Sequence, residues 1–206
     1  ATSRRDARRS RAEGRDAGEP IRAQTLDDSG REVLGELHLL TAKPVLYVAN
    51  VNEEGLGGNA ALAQLEQLAA RENARVVPVC AAIEAELSQL DEDERNELLA
   101  AYDLDEPGLN RVIRAGYALL SLQTFFTAGP KEVRAWTVTE VATSPEAARR
   151  STSAIQRGIS RAEVIAVDEY LSAGGEQAAK EAGRMRLEGK EYIMRDGDVC
   201  HFRFNV

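Results

Sequence analysis

Asn50-Val51-Asn52-Glu53 is the place in this 206-residue sequence where reactive side chains and a telling position coincide. The tetrapeptide directly follows Val45-Leu46-Tyr47-Val48-Ala49, a continuous apolar run that reads as a parallel strand buried on both faces. Open α/β sheets bind ligands outside the carboxyl ends of their strands. Were the ligand a purine, a carboxylate at such a point would discriminate by the hydrogen bonds it accepts. Set for the N1-H and exocyclic amine of guanine, it would be left facing the bare N1 acceptor of adenine; shifted and longer, it suits the adenine N6 amine. On this reading Asn50 holds the loop and the purine edge, Val51 offers backbone contact, and Glu53 reads the base. On spacing alone, helix capping and loop decoration account for the same residues.

Chemistry on a phosphate chain needs more than this. Hydrolysis calls for a glycine-rich loop ending in Lys-Ser/Thr, a hydroxyl and an acid near magnesium, and a group to place water. The one glycine-rich stretch, Gly55-Leu56-Gly57-Gly58-Asn59, lacks the Lys-Ser/Thr and follows the base-reading strand, so it is expected to be a flexible connection. His38 and His201 have no nucleophile or carboxylate at an interpretable spacing, and Cys80 and Cys200 stand far apart. Metal ligation is therefore unsupported, and both thiols are expected to be small buried hydrophobes. No apolar run approaches membrane-spanning length and no signal peptide is present, which makes the cytosol the expected compartment.

The elements that must position the motif follow from the pattern. Asp27–Leu40 places Val33, Leu34, Leu37 and Leu40 at helical spacing, a short amphipathic helix. After the first strand, Asn59 can cap a helix running to about Asn73. A second apolar run, Arg75–Cys80, leads into Ala81-Ala82-Ile83-Glu84, and acidic helices are expected near Asp91–Tyr102 and Pro107–Leu122. This β-α-β-α order favours a parallel sheet. Its two strands are too few for a complete doubly wound domain, so sheet partners are expected outside the chain.

Beyond Gln123 shorter strands are expected at Thr124–Thr127, Val133–Val138, Ala162–Val167, Glu191–Met194 and Val199–Phe204, with helices near Pro145–Arg157 and Glu176–Arg186. Arg195-Asp196-Gly197-Asp198 is a turn signal between two strands. These features describe a small α+β domain. The net charge is −8, yet residues 1–22 carry seven Arg against four acids. That stretch has little to bury and reads as a solvated lead-in, with an RNA-contacting arm as the sharper reading. The absence of an initial Met suggests a chain that starts inside a longer protein.

The blocks themselves carry a resemblance. Leu39-Leu40-Thr41-Ala42-Lys43-Pro44-Val45-Leu46-Tyr47-Val48-Ala49-Asn50-Val51-Asn52-Glu53 is similar to the base-specificity stretch of the YchF group of Obg-like ATPases. Cys80-Ala81-Ala82-Ile83-Glu84-Ala85-Glu86-Leu87 resembles that family's last nucleotide-contacting loop, Ser-Ala-Lys-Ile-Glu-Ala-Glu-Leu, departing at Cys80 and Ala82. The likeness runs on through Gln123–Val138, Arg161–Ile165, Glu181–Tyr192 and Asp196–Val206. It departs at Ser151-Thr152-Ser153-Ala154-Ile155 and Arg157-Gly158-Ile159, where the family carries a His, an Asp and two aromatics.

The resemblance implies a remnant of a parallel-sheet P-loop GTPase-like domain (27–122) after a lead-in (1–26), then a β-grasp TGS domain (123–206). It implies an adenine site formed by Asn50, Val51, Glu53, Cys80, Ala81 and Ala82. ATP is the implied ligand, with weak or absent binding in this chain because Ala82 removes the Lys-stem contacts. Mg²⁺ is implied only with the phosphate-binding half, itself an expected partner. No hydrolysis is expected from this chain alone. Ribosome or rRNA association is implied, with Lys131, Arg134, Arg157, Arg161, Arg184 and Arg186 as candidate contacts. The competing expectation is a free-standing TGS module that binds RNA or a protein without nucleotide.

Overall fold

The structure, a computed structural model, describes residues 18–24, 35–129, 132–151 and 159–204. The chain divides into two compact units, Ala1–Leu119 and Leu120–Val206, each with its own sheet.

In the first unit, strands β1 (Leu46–Asn50) and β2 (Arg75–Val79) pair in parallel, with Leu46 opposite Arg75 and Asn50 opposite Val79. The crossover is helix α1 (Ala60–Arg71). Asn59 caps it as expected, its Oδ1 accepting from the Leu62 amide at 2.8 Å. Helices α2 (Ala81–Leu87), α3 (Glu92–Ala101) and α4 (Gly108–Leu119) follow. Asp91 caps α3 by accepting from the Glu94 amide, and Glu84 of α2 accepts from the Gly108 and Leu109 amides at 2.6 and 3.1 Å, capping α4. The core here is the cluster of Cys80, Ile83, Leu87 and Leu99.

Several expectations for this unit change. Val48 is 51% exposed, so β1 is not covered on both faces among the described residues. Of the helix expected over Asp27–Leu40, residues 25–34 lie outside the described residues. The described turn at 35–37 stops at His38, whose φ of 47° is left-handed. Leu40 then starts a separate 3-10 helix, Leu40–Ala42, and is 77% exposed rather than on an inner face. The glycine-rich stretch is no loose connection: Glu53–Gly57 is a 3-10 helix capped by Asn52, with Gly55 buried. Within the expected lead-in, Ile21–Ala23 forms a 3-10 helix. Arg22 donates from Nε and one terminal nitrogen to Glu72 Oε2 at 3.0 and 2.7 Å, and the Tyr47 hydroxyl donates to the same oxygen at 2.8 Å. The Arg22 guanidinium, with help from Tyr47, holds the Glu72 carboxyl below its usual range.

The second unit is a mixed five-stranded sheet: β3 (Leu122–Ala128), β4 (Val133–Thr139), β5 (Ile159–Ala166), β6 (Arg186–Glu188) and β7 (Asp198–Phe204), in the order β4-β3-β7-β5-β6. β3 and β7 are parallel; the other neighbours are antiparallel. On one face helix α5 (Ser144–Ser151) lays Ala147 and Ala148 on Phe125, Val138, Ala162, Val164 and Cys200. On the other, α6 (Val167–Ala173) and α7 (Glu176–Glu181) supply Ala173 and Ala179 beside Ile165 and Val199.

The strand expected at Glu191–Met194 does not form. Its backbone bonds the segment ahead of α5 instead: Ser144 N donates to Tyr192 O and Met194 N to Ala142 O, both at 2.9 Å, leaving Thr143 opposite Ile193 as an isolated bridge. Gln123, buried in β3, donates from Nε2 to the Met194 carbonyl at 2.7 Å. The sheet's edge is the earlier β6. The helix expected over Glu176–Arg186 ends at Glu181, because Gly183 turns the chain at φ 66° into β6. Val167, expected at a strand end, begins α6. Of the helix expected over Pro145–Arg157, residues 152–158 lie outside the described residues, as do the family departures among them. Both cysteines are buried, and burial pushes the Cys200 thiol well up from its ordinary range.

Candidate functional site

The carboxyl ends of β1 and β2 open into one cavity of about 460 Å³, lined by Asn50, Val51, Asn52, Glu53, Glu54, Cys80, Ala81 and Ala82. That volume lies in the range of about 300–1,000 Å³ usual for small-molecule sites. The parallel pairing produces this convergence. Both strands run the same way and end level with each other, so residues 50–54 and 80–82, distant in sequence, leave the sheet side by side.

Two bonds hold the loops in register. Val51 N donates to Val79 O at 2.9 Å, carrying the ladder one residue past β1. Ala81 N donates to Asn50 Oδ1 at 3.2 Å, so the Asn50 side chain ties the first loop to the start of α2. Asn52 Oδ1 accepts from Gly55 N at 3.1 Å and fixes the 3-10 helix that carries Glu53 and Glu54. Cys80 roots the second loop in the hydrophobic cluster.

The lining has a definite chemical character. Among the described residues its charged side chains are the two carboxylates of Glu53 and Glu54, with no Lys or Arg. Such a wall accepts hydrogen bonds from an amine and repels phosphate. Every adenine-site residue expected from the sequence lies around this cavity. Asn52, in the motif but without an expected role, and Glu54 line it as well; an Asn before a helical turn is a capping signal. Tyr102 was missed as well: its hydroxyl donates to Glu53 Oε2 at 3.1 Å. No signal in the sequence links two residues so far apart.

The basic residues do not gather in the same way. Lys131 and Arg157 lie outside the described residues. Strand alternation separates the others: Arg161 pairs with Arg203 across β5 and β7 on the face bearing Ile165, whereas Arg134 and Arg186 sit opposite Thr127 and Val164 on the α5 face. Arg134 stacks 4.3 Å over the Trp136 ring and lies 3.6 Å from Glu132. Trp136, half-buried against the α5 core, donates from Nε1 to Thr127 Oγ1 at 2.9 Å. Arg186 lies 3.6 Å from Asp198 and 3.8 Å from Glu188. Arg184 donates to Ser172 Oγ at 3.1 Å. Among the described residues no His, Cys, Asp and Glu group could hold a metal ion, and no helix is long and apolar enough to cross a membrane.

Comparison with known proteins gives consistent matches. The family model YchF-GTPase_C, described as "Protein of unknown function (DUF933)", matches residues 122–205. The chain is 55% identical over 186 residues to the "Ribosome-binding ATPase YchF" of Haemophilus influenzae, covering 90% of this chain and 51% of that protein. It is 47% identical over 190 residues to the protein of the same name in Bacillus subtilis, covering 91% of this chain and 52% of that one. Its fold is similar to the solved structure of the Schizosaccharomyces pombe YchF GTPase, with a TM-score of 0.77 at 28% identity, covering 91% of this chain and 50% of that chain. The chain therefore spans about half the length of the curated relatives it matches.

Proposed function

This chain belongs to the YchF family, matching its carboxyl-terminal part, and from that premise we propose that it carries an adenine-reading corner and a TGS-type unit that engages the ribosome. The proposed division is a lead-in (1–26), the end of a P-loop GTPase-like domain (27–122) and a β-grasp TGS domain (123–206). The observation that carries the base-reading role is the cavity at the ends of β1 and β2. Its acidic lining, which carries no cation among the described residues, suits an amine-bearing purine edge and is unsuited to a triphosphate.

Recognition works through the chain's own groups. Asn50 holds the two loops together. The free carboxylate oxygen of Glu53 accepts from the adenine N6 amine, and the backbone at Val51, Ala81 and Ala82 borders the base. A 6-oxo purine would set its O6 against the same carboxylate and lose affinity. Phosphate and Mg²⁺ contacts require a Lys-Ser/Thr-terminated loop that these 206 residues do not contain. Hydrolysis is accordingly assigned to residues other than these, and the nucleotide affinity of this chain is weak. Relatives named ribosome-binding ATPases support a cytoplasmic, ribosome-associated role. Arg161, exposed beside Arg203, is the candidate contact on the second unit.

Titration of the isotope-labelled chain with millimolar ATP, followed by amide NMR, tests the reading. Signals of Val51, Ala81 and Ala82 are expected to move with ATP and to stay put with GTP. If ATP moves none of them while the chain still pellets with ribosomes, the base-reading role is wrong and the nucleotide-free TGS module is the better account. Charge reversal at Arg161 is expected to weaken pelleting, and unchanged pelleting removes it as a contact.

A further inference from the structure

Glu53 is exposed at the cavity rim, and an exposed glutamate with three rotatable bonds samples many orientations. A base-reading acid needs one. Among the described residues a single side-chain group bonds it: the Tyr102 hydroxyl, which donates to Oε2 at 3.1 Å. Tyr102 is itself fixed. It is the C-cap of α3, its amide donating to Leu99 O at 3.2 Å, and the next residue, Asp103, turns the chain away at φ 57°. Its ring packs on the Cys80, Ile83, Leu87 and Leu99 cluster, as does Leu56 from the 3-10 helix that carries Glu53.

We propose that Tyr102 is a positioning residue for purine selection: by occupying Oε2 of Glu53 it leaves Oε1 directed at the ligand and prevents the carboxylate from turning away from a 6-oxo purine. This rests on the reading of the cavity as a base site. The consequence concerns discrimination more than affinity. A free glutamate swings aside when a purine presents an acceptor at position 6, whereas a held one rejects it. The contact also leaves a mark on Tyr102 itself, since the Glu53 carboxylate, by accepting its hydrogen bond, holds the phenol above its ordinary pKa.

The test uses the full chain and two nucleosides, adenosine and inosine, which differ in carrying an amine or an oxo group at position 6. The parent protein is expected to show adenosine-dependent shifts at Val51, Ala81 and Ala82 and to bind inosine more weakly. Tyr102→Phe keeps the ring and removes the hydroxyl. It is expected to weaken adenosine binding about fivefold, the worth of one ordinary hydrogen bond, and to bring the adenosine-to-inosine ratio close to one. A merely structural Tyr102 would weaken both nucleosides alike and leave the ratio intact; that result overturns the proposal. Absence of any adenosine shift in the parent protein would overturn the base-site reading itself, a separate outcome visible before any substitution. A second measurement stands apart from ligand binding: in Glu53→Gln the Tyr102 phenol should ionise at lower pH than in the parent, and an identical titration would show that the two groups do not meet.

Discussion

Replacing Gly55 by alanine puts the geometry of the cavity-lining loop to its most direct test. Gly55 is buried in the 3-10 helix Glu53–Gly57. A Cβ there would stand 2.8 Å from Asn52 Oδ1, 2.8 Å from Asn59 Nδ2 and 3.0 Å from Val51 Cβ, against ordinary contact distances of about 3.5–4.0 Å. The two asparagines are not idle. Asn52 caps the 3-10 helix through the Gly55 amide, and Asn59 caps α1 through the Leu62 amide. Relieving the clash displaces both side chains, and a lost asparagine cap costs about 1 kcal/mol, so Gly55→Ala should destabilise the first unit by about 2 kcal/mol. The tryptophan, Trp136, lies in the second unit and does not report on this one. The assays are urea unfolding followed by helix circular dichroism, and amide hydrogen exchange in the first turn of α1. Exchange at Leu62 should speed up about 30-fold, since each 1.4 kcal/mol is tenfold. A loss below about 0.5 kcal/mol, the level of an ordinary surface substitution, would show that the asparagines shift without giving up their caps, and would refute the reasoning.

Three further outcomes are expected. Asp198, 2% exposed, accepts from the Tyr192 hydroxyl at 2.8 Å and the Arg195 amide at 2.9 Å; Asp198→Ala strands both donors and should cost about 2–4 kcal/mol in urea unfolding followed by Trp136 fluorescence. Burial and Asp198 push the Tyr192 phenol up to about 12. A raised folded pKa leaves its stability contribution whole below the unfolded value of about 10 and removes it as pH rises toward the folded one, so Tyr192→Phe should flatten the alkaline loss of stability between those limits. Glu72 has the opposite sign: Arg22 lowers its folded pKa, so its contribution is present above the unfolded carboxyl value and disappears as pH falls through the folded one. Glu72→Gln should make acid unfolding less steep, whereas an unchanged acid limb would mean that the Arg22 contact is not held in solution.

The first strand, the Asn59-capped helix and the second strand were legible because each rests on local chemistry: apolar runs of strand length and a side chain able to cap. Less legible were positions where a local pattern competes with a distant partner. Glu191–Met194 has a strand's composition, but its carbonyls and amides are claimed by Ala142, Ser144 and Gln123. Leu40 sits at helical spacing, yet His38 breaks the turn first. The basic residues are evident in the sequence, but strand alternation places Arg161 and Arg186 on opposite faces of one sheet, and that depends on register.

The sequence by itself carried the family resemblance, through long matching blocks, and placed a polar motif directly after a strand. Only the tertiary structure decided which residues share a cavity. Parallel pairing brings Asn50 level with Val79 and so sets residues 50–54 beside 80–82. Helix packing carries Tyr102 to Glu53. Neither meeting is encoded by local spacing: the first is set by backbone pairing of two distant strands, the second by the packing of Leu56 and Tyr102 on one hydrophobic cluster.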